Sequence, residues 1–262
     1  MGTNRWQAQI SKDWFFRVAP NGGYMMSIVA RAMGKAFSRG EYNHCDPISA
    51  TATFINPADA GGAEIEVITH RQGRRFSQGI ATLTQNGKPC VQLMATYGNI
   101  GSMDGATCNE FSAPAMPPPE DCELLPADII SFREQVETRL VPDDFQFFHG
   151  GGKGRMEHYG WLRFADHRPA DLLALLTFAD ALPRAVGMRT GVMGWLPTLD
   201  LTVQCLAKPA PGYIVTKFSS RMLANGVLEE QGEMWDSTGK LVAVCRQSAT
   251  IRVPEDKLAL LR

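Results

Sequence analysis

The sequence predicts an α+β fold made of two copies of one module, in which a long helix is wrapped by an antiparallel sheet. Three observations predict it: a stretch with apolar residues at helical spacing, a series of strand-like segments after it, and a recurrence of this order later in the chain. With 262 residues, 44% of them hydrophobic, the chain is long enough to bury a sizeable core in each copy.

The first helix is predicted at residues 22–37. There Met25, Ile28, Val29 and Met33 recur at helical spacing after the turn sequence PNGG. The four strand-like segments that follow, separated by NPADAGG, RQGRR and QNGK, lie at residues 48–55, 63–70, 77–84 and 88–97. Short turns between consecutive strands predict hairpins, and hence an antiparallel sheet.

A proline-rich segment separates the two modules. Residues 108–144 contain six prolines and many carboxylates, which is typical of a linker between domains. We therefore place an amino-terminal module at residues 1–107 and a carboxyl-terminal module at residues 145–262.

After the linker the same order of elements recurs. TFINP begins at Thr53 and CLAKP at Cys205, and NGK begins at Asn86 and TGK at Thr238; both pairs are 152 residues apart. Two landmarks with one offset favour duplication. The second copy is predicted as a strand at 156–164, a helix at 171–185, and strands at 199–206, 213–220, 226–235 and 241–252. A helix held in a curled antiparallel sheet is the hotdog arrangement, here fused as a double hotdog.

Charge and composition exclude several classes of function. The 26 basic and 27 acidic residues nearly balance and form no basic run, so we do not expect nucleic acid as a partner. The six cysteines are widely spaced without a CxxC pair, which indicates unpaired thiols in a cytoplasmic setting. No apolar stretch is long enough for a signal core or a membrane span, and the histidines show no metal-ligand spacing. We expect neither a cofactor nor a metal.

Four motifs in this order resemble the acyl-CoA thioesterase family with two fused hotdogs, the type represented by bacterial thioesterase II. They are PNGGYMMSIVARA, QNGKP, TLDLTVQCLAKPAPG and GEMWDSTGKLVAVCRQ, and the resemblance covers nearly the whole chain. It implies hydrolysis of acyl-CoA substrates by a water molecule oriented by an Asp, a Ser or Thr, and a Gln of the second hotdog.

Matched by motif, these catalytic residues fall on Asp200, Ser219 and Gln247. Two alternatives stay open. One slip in the count would exchange Ser219 for Ser220, and Asp180 on the second helix could be the carboxylate instead, because other hotdog thioesterases place theirs on that helix.

The chemistry gives each of these groups a role. A carboxylate can accept the proton of the attacking water, while an amide and a hydroxyl can orient it. Such a role would explain why Gln247 shares the otherwise apolar face of the segment LVAVCRQSATIR. The backbone amides of Gly23 and Tyr24, at the start of the first helix, are the predicted donors for the developing oxyanion.

Other functions on the same fold remain alternatives: a non-catalytic acyl-CoA or fatty-acid binding protein, or a hydratase or dehydratase. Since hotdog sheets pack against further copies, the sequence also predicts a homodimer or a higher homo-oligomer.

Overall fold

The structure is a computed structural model that describes residues 3–126, 131–146, 155–191 and 196–256. The elements of the first half of the chain are β1 (Thr3–Ile10), β2 (Phe15–Phe16), β3 (Ala19–Pro20), α1 (Gly22–Ser38), β4 (Asp46–Phe54), β5 (Gly61–Gln72), β6 (Ser77–Gln85) and β7 (Lys88–Gly98). Among the described residues, no helix combines the length and the apolar character needed to cross a bilayer.

Helix α1 forms where the sequence predicts it. Asn21 caps its first turn, with its side-chain oxygen accepting from the backbone N–H of Tyr24 (2.9 Å). Its apolar stripe, including Met25, Val29 and Met33, is buried inside the curl of the first sheet. The helix therefore forms the core of the first module, as expected for an amphipathic segment.

The elements of the second half are β8 (Glu123–Leu124), β9 (Val136–Leu140), α2 (Pro142–Phe145), β10 (Glu157–Phe164), α3 (Leu172–Phe178), α4 (Gly187–Thr190), β11 (Thr198–Cys205), β12 (Ile214–Ala224), β13 (Val227–Trp235) and β14 (Leu241–Thr250). Helix α3 is shorter than predicted, because it ends at Phe178 instead of continuing to residue 185. Pro183 has no N–H and disfavours helical backbone at the residue before it, so the chain turns and resumes only as the short α4.

Part of the predicted linker is folded into the second module. Val136–Leu140 forms β9, which pairs antiparallel with β10, and Glu123–Leu124 forms β8 on its outer edge. Val136 and Leu140 are buried while their neighbours are less so, which is the alternation of a half-buried strand. Because prolines flank this segment, the sequence pattern indicates a linker there and does not predict the strand. Residues 127–130 of the predicted linker lie outside the described residues.

The two curled sheets join edge to edge into one 12-stranded sheet, in the order β1-β5-β6-β7-β4-β11-β14-β13-β12-β10-β9-β8. The joint is the antiparallel pair of β4 and β11. In it Ala50 pairs with Val203 and Thr51 with Thr202. With the 152-residue offset, Ala50 corresponds to Thr202 and Thr51 to Val203. The two pairs at the joint are therefore equivalent to each other, as expected where two copies of one module pair symmetrically. This topology confirms the predicted double hotdog.

Candidate active site

A buried cluster of charges lies where α3 breaks off. Nη2 of Arg184 donates to Oδ1 of Asp180 at 2.5 Å, and Nη1 donates to Oε1 of Glu230 at 3.3 Å. The side chains of Asp180, Arg184 and Glu230 are 7%, 10% and 1% exposed. Nη2 of Arg184 also donates to Oγ1 of Thr198 (2.6 Å). Buried charges are expensive to maintain, so a cluster with two acids and one base is a candidate for chemistry.

The carboxylate of Asp180 is held by the start of α1 in the other module. Its Oδ2 accepts from the backbone N–H of Gly22 (2.8 Å) and of Gly23 (3.2 Å) and from Nδ2 of Asn21 (3.1 Å). The free amides and the dipole of a helix start favour a negative charge. The candidate site is therefore built from both modules.

Gly23 allows the two helices to approach this closely. A Cβ atom at Gly23 would lie 2.5 Å from the carbonyl oxygen of Thr177 and 2.7 Å from that of Leu176, both in the backbone of α3. A side chain of any kind would push the end of α3 away, and Asp180 with it. The glycine pair thus serves close packing, which in turn brings the carboxylate to the helix start.

Gln247 lies on the inner face of β14, 1% exposed, between Leu201 of β11 and Glu230 of β13. Its Nε2 donates to Oε1 of Glu230 (2.8 Å), whereas its Oε1, also buried, has no hydrogen-bond partner within the described part of the chain. A buried amide oxygen without a donor is rare, because the missing bond costs about 1–3 kcal/mol. Gln247 therefore presents an acceptor for which the described residues supply no donor.

Burial and pairing shift the pKa values of this cluster. Burial raises the pKa of the Glu230 carboxyl above its ordinary value, although Arg184 opposes the shift. Burial alone would lower the pKa of Arg184, but the carboxylates of Asp180 and Glu230 outweigh it, so the net shift is upward. Arg184 therefore remains a cation between two acids.

The structure does not bring Asp200 to Gln247. Asp200 pairs across the sheet with Ser248, whose Oγ donates to Oδ1 of Asp200 at 3.4 Å. Since consecutive residues of a strand point to opposite faces, Asp200 and Ser248 lie on the face away from Gln247. The pairing register of β11 shifts between Thr198 and Asp200, and motif matching could not detect this shift. The expected grouping of Asp200 with Gln247 is wrong.

Ser219 also lies away from Gln247. It is half-buried and pairs with Gln231 and Glu157, on the outward row of the sheet. Its neighbour Ser220 is buried, but its hydroxyl donates to the backbone carbonyl of Glu229. The two serines have different environments because consecutive side chains of a strand point to opposite faces of the sheet.

Thr198, on the other hand, was missed by the sequence interpretation. It pairs with Ala249, on the inner face of β14 two residues from Gln247, and its hydroxyl is bonded to Arg184. Its position in the motif TLD, two residues before Asp200, was the available signal.

The two predicted oxyanion donors already have acceptors. The N–H of Gly23 donates to Asp180, and that of Tyr24 donates to Oδ1 of Asn21 (2.9 Å). The expectation that the start of α1 favours negative charge agrees with the structure, but the charge held there is the carboxylate of Asp180. Within the described ranges, no group of three or more His, Cys, Asp or Glu side chains is arranged to hold a metal ion.

Comparison with known families gives two matches that together cover most of the chain. Residues 10–98 match the model of the acyl-CoA thioesterase N-terminal domain, and residues 111–251 match that of the acyl-CoA thioesterase C-terminal domain. An uncharacterised protein of Mycobacterium tuberculosis is 24% identical, over 94% of this chain and 90% of that protein.

Solved structures show the same architecture. A putative thioesterase II from Thermobifida fusca superposes with a TM-score of 0.82 at 28% identity, covering 96% of this chain and 93% of that one. A hot dog fold protein of unknown function from Alicyclobacillus acidocaldarius gives 0.83 at 23% identity, with 95% and 94% covered. An acyl-CoA thioesterase II from Mycobacterium marinum gives 0.72 at 18% identity, with 97% and 94% covered.

Proposed function

Because the chain belongs to the acyl-CoA thioesterase family, we propose that it hydrolyses acyl-CoA thioesters to the free acid and CoA. The observation that carries this proposal is the buried Oε1 of Gln247, which has no donor among the described residues and lies beside a cluster that contains a carboxylate. A water molecule is the smallest group that satisfies such an acceptor, and it is also the second substrate of the reaction.

Asp180 is the base in this proposal, in place of Asp200. Its Oδ2 accepts three hydrogen bonds, whereas Oδ1 accepts one, from Arg184, among the residues that the structure describes. A carboxylate oxygen has two lone pairs, so Oδ1 can accept a hydrogen bond from a water as well. The hydroxyl of Thr198, bonded to the same Nη2 of Arg184, takes the role assigned to Ser219 in the sequence.

The reaction then follows from these positions. The amide oxygen of Gln247 accepts a hydrogen bond from the water. Asp180 removes the other proton of the water while the water oxygen attacks the thioester carbonyl carbon. The carbon–sulfur bond breaks as the tetrahedral intermediate collapses, and the sulfur leaves as the thiol of CoA with the proton that Asp180 took up. No covalent acyl-enzyme is needed.

A comparison of two conservative variants tests the assignment. Asp180→Asn removes the base but keeps an acceptor for the amides of α1, whereas Asp200→Asn makes the same change on the opposite face of the sheet. With free thiol release from a panel of acyl-CoAs as the assay, we expect Asp180→Asn to lower kcat by about 10²-fold or more. Asp200→Asn should stay within about twofold, because the side chain of Asp200 lies on the face of the sheet away from Gln247.

Two results would contradict the proposal. Full turnover in Asp180→Asn would reject the base, and a wild-type protein that releases no thiol from any acyl-CoA would reject the activity. Binding of acyl-CoA without release would indicate the non-catalytic binding protein instead. The predicted homo-oligomer and cytoplasmic location stay predictions, open to a measurement of solution mass and to cell fractionation.

A further inference from the structure

The proposed reaction needs the carboxamide of Gln247 in the orientation in which its oxygen faces the water. A neighbouring acid, Glu230, favours that orientation. Gln247 offers an acceptor to the site only while its Nε2 points at Glu230. A carboxylate has acceptors and no donor, so an ionised Glu230 can face the NH₂ group of Gln247 but not its carbonyl oxygen. The two ends of a carboxamide are similar in shape, which means that this neighbour decides the orientation.

Glu230 is itself held from three directions. Its Oε2 accepts from the backbone N–H of Ala185 at 2.5 Å, and its Oε1 accepts from Nη1 of Arg184 and from Nε2 of Gln247. All three partners are donors, and the side chain is 1% exposed. These contacts favour the ionised acid and oppose the burial that raises its pKa, because a proton on either oxygen would face a donor. They also leave the carboxylate no freedom to rotate without losing a bond.

We infer that Glu230 is a positioning residue that orients the carboxamide of Gln247, so that its carbonyl oxygen faces the reacting water. The inference rests on the proposed function only for its effect on turnover; the orientation of the amide can be measured without any substrate.

The substitution Glu230→Gln reverses the orientation by simple hydrogen-bond accounting. We expect the oxygen of the new amide to accept from the N–H of Ala185, because that donor is fixed backbone at 2.5 Å, whereas Arg184 donates at 3.3 Å and its side chain can move aside. The NH₂ group of the new amide then faces Gln247. Gln247 then turns its own oxygen inward and presents NH₂ to the site. The attacking water loses its acceptor, whereas the rest of the chain is unchanged.

Kinetics test this on three variants. We expect Glu230→Gln to lower kcat by about 10²-fold, the loss typical of a misplaced reacting group, with KM within about twofold. Glu233→Gln, the same change on the outer face of β13, is the matched control and should retain wild-type kcat. In a Gln247→Ala background, Glu230→Gln should lower kcat no further, because the residue acts through Gln247.

A reciprocal exchange distinguishes orientation from general damage. Glu230→Gln combined with Gln247→Glu restores an acceptor oxygen at position 247, and kcat should rise at least about fivefold above Glu230→Gln alone, a clear partial recovery of the 10²-fold loss. Independent losses of kcat in the two single variants, or no recovery in the exchange, would overturn the inference.

Nuclear magnetic resonance gives a readout that needs no turnover. The side-chain NH₂ signals of Gln247, assigned by their absence in Gln247→Ala, should be protected from exchange in the wild-type protein and exposed in Glu230→Gln. Unprotected Gln247 signals in the wild type would refute the inference even if Glu230→Gln fails to fold. An inactive wild type with protected signals would reject the proposed function alone.

Discussion

Replacing Gly23 by alanine should damage both the fold and the site, although alanine is the better helix former. In an ordinary helix interior the change stabilises by about 0.5–1 kcal/mol. Here the new Cβ lies 2.5 Å from the carbonyl oxygen of Thr177, whereas an ordinary contact begins at 3.4 Å, so about 0.9 Å of space is missing. The obstacle is backbone, which cannot rotate aside as a side chain can.

The two effects can be weighed against each other. Forcing a methyl group into a packed region costs about 1–3 kcal/mol, so the net loss of unfolding free energy should be about 1–2 kcal/mol. For a chain of this size, 1 kcal/mol corresponds to about 2–4 °C in Tm. We therefore expect Tm to fall by about 2–8 °C.

Activity should fall more steeply than stability. Asp180 follows Thr177 by three residues, so a shift in the end of α3 moves the carboxylate away from the start of α1. A displacement near 1 Å can lower a rate by about 10²-fold. Thermal unfolding and thiol release would be measured together, with Gly101→Ala as the control because a Cβ there meets nothing within 4 Å. Unchanged Tm and unchanged turnover in Gly23→Ala would refute the packing argument.

Two further predictions concern stability and thiol reactivity. Burial alone would raise the pKa of Glu137, but hydrogen bonds from Tyr213, Arg139 and Arg163 outweigh it and hold the pKa at about 2, below the ordinary 4.5. An acid with a lowered pKa stabilises the fold above pH 4.5, and this stabilisation is lost as the pH falls towards 2. Glu137→Gln should therefore reduce the unfolding free energy at pH 7 by about 2–3 kcal/mol and make it less dependent on pH in the acid range, as measured by urea titration. Equal acid sensitivity of the two proteins would contradict this prediction. Burial raises the pKa of the Cys205 thiol to about 12. A mild alkylating reagent at about pH 8 should therefore label the exposed Cys108 in the folded protein and Cys205 only after unfolding, as measured by peptide mass spectrometry. Rapid labelling of Cys205 in the folded protein would be the opposite of what we expect.

The fold was accessible to sequence reasoning because it depends on repeating patterns. The period of two in the strands and the helical spacing before them are set by where apolar side chains recur, and burial rewards these patterns over many residues. The 152-residue offset held at the joint of the sheets, where β4 and β11 pair symmetrically. The strands before α1 and the two strands β8 and β9 within the predicted linker were not predicted; β9 is a short strand flanked by prolines.

The site was less accessible, since it depends on single-residue irregularities. One shift in register between Thr198 and Asp200 decides which of them shares the face of Gln247. Ser219 and Ser220 differ because consecutive side chains of a strand point to opposite faces of the sheet. Motif matching counts residues along the chain and therefore placed the acid and the hydroxyl on the wrong side of the sheet.

The sequence by itself determined the doubled module, the wrapped helix and the inward position of Gln247, because each follows from the alternation of apolar and polar residues along one strand or helix. Only the tertiary structure decided that Asp180 is linked through Arg184 to Glu230, the acid that Gln247 binds. Asp180 reaches the start of α1 because α3 ends at Phe178 and because Gly23, which has no side chain, allows the backbones of α1 and α3 to pack closely. Contacts between segments more than 150 residues apart depend on the packing of both modules, and no local pattern encodes them.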